Sequence, residues 1–123
     1  MKKLLLLSSF LCLVLISLAQ TDRYHAAMLK NIQSIDSLKT AQEFIDKANS
    51  FARIGDAEKD KWLPYYYASF IMLLAGYIQA ENPHPYVLDP ISDKAEVLLD
   101  KAAELAGKNS EIEVLRKMIA HLR

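Results

Sequence analysis

From Asp22 onward, apolar residues recur every three and four positions, with Lys, Glu, Asp, Gln and Asn between them. That spacing puts the apolar side chains on one side of an α-helix. With only 3 glycines and few β-branched residues, it predicts an all-α fold. The first helix is expected from about Asp22 to Ser37, with Tyr24, Met28, Ile32 and Ile35 as its apolar stripe and Leu29 beside them. "TAQE" at 40–43 reads as a capping box, which starts a second helix running to about Ile54, where Gly55 ends it. The third begins between Asp56 and Lys61. Asp60 is the preferred cap, because it leaves Pro64 in the first turn, where a missing amide costs little. After Ala80 comes the proline-rich loop "ENPHPYVLDP", with Asp89 as cap and Pro90 opening a fourth helix that Gly107 stops. "SEIE" at 110–113 reads as another capping box, and a fifth helix continues to Arg123.

Two stretches break this amphipathic rhythm. The chain opens "MKKLLLLSSFLCLVLISLAQ", with two lysines, an apolar run and the small-residue exit Ser17-Leu18-Ala19. This is the layout of a signal peptide over residues 1–19, leaving a domain of residues 20–123. Bulky Phe10 and Leu11 before Cys12 do not fit a lipid-attachment site, and the exported chain would hold no cysteine. The second stretch, "KWLPYYYASFIMLLAGYI" at 61–78, is apolar nearly all round. It is shorter than the roughly 20 apolar positions a membrane span needs, so it predicts a central helix enclosed by neighbours. No stable membrane span is expected after signal cleavage.

Within the domain one pattern repeats. "AQEFIDKANSF" at 41–51 and "AEVLLDKAAEL" at 95–105 align without a gap: Ala41, Asp46, Lys47 and Ala48 meet Ala95, Asp100, Lys101 and Ala102. Phe44, Ile45 and Phe51 meet Leu98, Leu99 and Leu105. Small residues at such spacings let helices approach closely while large ones fill the gaps. Further on, Trp62, Tyr65 and Ser69 fall where Ile112, Leu115 and Ile119 stand in the last helix. The domain therefore divides into a helix pair at 20–55, a second at 56–107 and a single helix at 108–123.

The pattern Ala95-x3-Leu99-x2-Ala102, followed by a turn and "NSEIEVL", resembles the tetratricopeptide repeat. More closely, "EKDKWLPYYYASF", "LDPISDKAEVLLDKA" and "NSEIEVLRKMIAHLR" look like a family of small secreted tetratricopeptide-like proteins from Gram-negative bacteria. The resemblance covers roughly residues 40–123. It implies antiparallel helix hairpins stacked as a short right-handed solenoid, in the periplasm or outside the cell, with Trp62, Tyr65, Ala41, Ala48, Ala95, Leu99 and Ala102 as repeat core. It also implies a concave protein- or peptide-binding groove lined by Leu63, Tyr67, Phe70 and Ile71 and by Glu113, Lys117, Ala120 and His121. The chain departs from the pattern in its longer loop at 81–89 and in stopping after the first helix of a third repeat. The stripe Ile112, Leu115 and Ile119 is accordingly expected to lack a partner, with self-association through the last helix as one consequence.

Charge and chemistry narrow the function. The chain balances 15 basic against 15 acidic residues, and losing Lys2 and Lys3 with the signal leaves it slightly acidic, which argues against nucleic acid. His25, His84 and His121 are far apart, with no ligand at metal-binding spacing, so no metal or other cofactor is expected. Ser50, Ser69 and Ser92 lack a nucleophile elbow. Glu58 with Asp60, and Glu111 with Glu113, read as capping charge rather than acid–base pairs. Asn82, His84 and Tyr86, between prolines, form a connector or a stiff recognition loop. The expectation is a non-catalytic scaffold that binds a protein or peptide. The alternative is a periplasmic small-ligand or enzyme-accessory domain using Tyr67, Phe70 and the 81–89 loop.

Overall fold

A computed structural model of the chain describes residues 1–81 and 88–123, without the side chains of 4–8 and 10–18. Among the described residues the regular structure is all helical: α1 (Lys2–Gln33), a 3₁₀ turn (Ile35–Ser37), α2 (Ala41–Ala57), α3 (Leu63–Ala80), α4 (Leu88–Ala106) and α5 (Ser110–Leu122). Each α-helix packs on the next, and α5 also touches α3. None of these helices is long and apolar enough, among the described residues, to cross a membrane.

Local chemistry accounts for most of the boundaries. Thr40 accepts from the Glu43 amide at 3.2 Å while the Glu43 carboxylate accepts from the Thr40 amide at 2.9 Å, the reciprocal arrangement expected of the capping box. Backbone hydrogen bonds from the Lys39 amide, at 2.8 Å, and then from the Thr40 amide hold the exposed Glu43 carboxyl below its ordinary pKa. Gly107, at φ 66, is the only left-handed residue among those described, and it stops α4 where predicted. Pro64 lies in the first turn of α3, where its missing amide leaves no helical bond unmade.

Five boundary expectations need correction. Helix α1 begins at Lys2 rather than Asp22 and gives way to the 3₁₀ turn before Ser37. Gly55 does not end α2 but lies buried inside it, because a Cβ there would sit 2.8 Å from the Tyr65 ring. The residue capping α3 is Trp62, not Asp60. Helix α4 already starts at Leu88, which places Asp89 and Pro90 in its first turn. Asn109, one position ahead of the predicted Ser110, caps α5 by accepting from the Glu111 amide at 2.9 Å.

The core runs through all five helices. Ala48, Ala68, Ala75, Ala95 and Ala102 are fully buried and let the helices approach, while Phe51, Ile71, Leu73 and Leu99 fill the space between them. Ser69 is buried too, and its hydroxyl donates to the Ala95 carbonyl at 2.7 Å, tying α3 to α4. Gly76 gives α5 its seat, since a Cβ there would collide with the Leu122 side chain.

The burial pattern also corrects individual residues. Ile112, Leu115 and Ile119 have partners after all: they are buried in the contact of α5 with α4 and α3. Leu29 is 56% exposed and Leu105 41% exposed, so Leu29 lies off the α1 stripe, and the match of Leu105 with buried Phe51 fails at the level of packing. Trp62 and Ala41 are half-buried rather than core.

Candidate functional site

Helix α3 is enclosed on one side only. Tyr65, Ala68, Ser69, Ile71, Met72, Leu73, Ala75 and Gly76 are buried, whereas Leu63, Tyr66, Tyr67, Phe70, Leu74, Tyr77 and Ile78 are half-buried. These seven stand at intervals of three, one, three, four, three and one, which on a helix gathers them into an arc roughly 120° wide. The stripe is almost wholly aromatic and aliphatic and runs the length of α3. A helix that presents such a strip partly to water offers the apolar face and polar rims from which peptide-binding grooves are built.

Within the stripe the rings are held by one another. Tyr66 meets Trp62 edge-on at 5.7 Å and Tyr67 at 6.0 Å, and Tyr67 stacks on the buried Phe51 ring of α2 at 5.2 Å. The Tyr66 hydroxyl donates to the Glu111 carboxylate of α5 at 3.3 Å, and burial and then the Glu111 charge push the Tyr66 pKa up. The hydroxyls of Tyr67 and Tyr77 have no hydrogen-bond partner among the described residues, and no buried side-chain polar atom there goes unpaired. Both hydroxyls are therefore placed to bond a neighbouring molecule or water.

Of the predicted groove residues, Leu63, Tyr67 and Phe70 lie in this stripe, and Glu113, Lys117, Ala120 and His121 are exposed on α5. Ile71 is a correction: it is fully buried and belongs to the core. Sequence reasoning missed Tyr66, Leu74, Tyr77 and Ile78. Carrying the three- and four-residue spacing from Leu63 to the end of α3 would have found them.

The remaining candidates resolve into structural roles where they are described. Ser50 and Ser92 donate to the carbonyls four residues earlier in their own helices, as Ser69 does to Ala95. Glu111 and Glu113 sit in the first turn of α5, but Glu58 is the C-cap of α2, the end at which an acid is disfavoured by the dipole. There, Glu58 and Asp60 add to burial in raising the Tyr24 pKa. Among the described residues no three His, Cys, Asp or Glu side chains gather where they could hold a metal. Asn82, His84 and Tyr86, with most of the predicted recognition loop, lie outside the described residues.

No protein-family profile, curated protein or solved structure matches this chain.

Proposed function

We propose that this chain is an exported, non-catalytic adaptor that binds a segment of another protein across the open side of α3 and the neighbouring surface of α5. The observation that carries the reading is the half-buried stripe from Leu63 to Ile78, with rings pre-positioned by Phe51 and Trp62 and two tyrosine hydroxyls without a partner among the described residues. Rigid aromatic side chains lose little entropy on binding and dominate the energetics of most interfaces. The exposed Glu113, Lys117 and His121 of α5 would supply the polar rim. A tetratricopeptide-like stack of α2 to α5 is part of the proposal, supported by the packing of each helix on its successor and by the contact of α3 with α5. Export rests on the signal-like layout of residues 1–19.

The test is a pull-down from periplasmic extract with the native chain and with Tyr67→Ala combined with Phe70→Ala. The account expects specific proteins on the native bait and their loss from the variant, with helical circular dichroism unchanged. Retention of the same proteins by both baits, or of a small molecule instead of any protein, contradicts it.

A further inference from the structure

Between α1 and α2 lies a second feature, a cleft of about 620 Å³. Four cationic side chains line it, Arg23 and Lys30 from α1 and Lys47 and Arg53 from α2, beside an apolar lining of Ala27, Ile54 and the Tyr24 ring; the one acid among the described lining residues is Glu58. A chain with equal numbers of acids and bases has no need to sort its charges in this way.

The two arginines of the cleft differ from the chain's other two. On the other side of the molecule Arg116 lies 2.8 Å from Asp100 and 3.9 Å from Glu96, and Arg123 lies 2.7 Å from Asp93. In the cleft none of the four basic groups has a carboxylate within ion-pair distance, among the described residues. Lys47 donates to the Asn31 side chain at 3.3 Å and Arg53 to the Ser50 hydroxyl at 3.0 Å, both neutral partners.

The spacing points to the kind of ligand. Arg23 and Lys30 are two helical turns apart, a rise of about 10 Å, and Lys47 and Arg53 are separated by nearly as much. Lys47 reaches the Asn31 end of α1. In an antiparallel pair that leaves Arg53 toward the Arg23 end, so the cations form two pairs about 10 Å apart. A lone phosphate or carboxylate engages one pair. A nucleic-acid strand would seek several exposed aromatic platforms for its bases, and the lining here holds a single ring, that of the buried Tyr24.

We infer that the α1/α2 cleft binds an acidic peptide segment of a partner protein, with carboxylates at both ends of the cleft and small apolar side chains against Ala27 and Ile54. The site is separate from the α3 stripe and does not depend on it.

Fluorescence anisotropy with a fluorescein-labelled glutamate–alanine decapeptide and the purified chain tests this at low salt. Arg23→Glu with Lys30→Glu, and separately Lys47→Glu with Arg53→Glu, should each weaken binding at least about tenfold, as expected for loss of charge-assisted hydrogen bonds. Lys108→Glu with Lys117→Glu, an equal change of net charge away from the cleft, should change it less than about twofold. Circular dichroism checks that each variant folds. No peptide binding, equal weakening by the control pair, tighter binding of an oligonucleotide, or full competition by inorganic phosphate at the peptide's own concentration would each overturn the proposal.

Discussion

Tyr65 connects three helices through one side chain. Its hydroxyl donates to Asp56 Oδ1 of α2 at 2.8 Å, and the Lys101 ammonium of α4 stands 5.1 Å from its ring centroid and 3.6 Å from the same Asp56. The ring also occupies the space over Gly55, which is why a glycine sits in the middle of a helix at a cost of roughly 0.5 to 1 kcal/mol relative to alanine. Burial, and after it the hydrogen bond and charge of Asp56, push the Tyr65 pKa up to about 12. In the unfolded chain the phenol ionises near its ordinary value of about 10. The protonated native form is thus favoured in full below pH ~10, and its contribution is lost as the pH rises through ~12. Urea midpoints measured across that window should fall with pH, and Tyr65→Phe should flatten the fall. An equally steep decline in the variant would show that Tyr65 is not the responsible group.

At the scale of elements, features set by local chemistry were legible and those set by neighbours were not. The Thr40–Glu43 box and the Gly107 stop involve residues a few positions apart, and both formed as read. The end of α2 was misread because Gly55 answers to Tyr65, which only the folded chain brings near it. The α5 cap moved to Asn109, whose amide oxygen reaches the Glu111 amide first. The alignment of residues 41–51 with 95–105 matches burial for Ala48 with Ala102 and for Phe44 with Leu98, but half-buried Ile45 faces fully buried Leu99 in it and buried Phe51 faces exposed Leu105, since α5 covers less of α4 than α3 covers of α2. Leu99→Ala should therefore cost about 2 to 5 kcal/mol of stability, as for other buried leucines. Leu105→Ala should stay within about 1 kcal/mol. A chemical-denaturation series in which the two cost the same would contradict the asymmetry.

Across the whole molecule, two surfaces share one scaffold and differ in chemistry. The open side of α3 is aromatic and nearly uncharged, whereas the α1/α2 cleft is basic, and Asp93, Glu96 and Asp100 of α4 are taken up by Arg116 and Arg123. The α3 stripe was half legible: Leu63, Tyr67 and Phe70 followed from the resemblance to the tetratricopeptide repeat, but an all-round apolar sequence gives no sign of which side its neighbours leave open. The balanced charge of the chain likewise gave no sign of the basic cleft, because sorting unpaired cations from paired ones takes the fold. The central claim, that the open side of α3 and α5 is where a partner protein docks, is tested most directly by a photo-crosslinking amino acid placed at Tyr77, at Lys117 and, as a control, at the exposed Val97 of α4. Illumination of cells should give a discrete protein adduct from Tyr77 and Lys117 and none from Val97. Adducts from Val97 alone, or the same adduct from all three positions, would contradict the account.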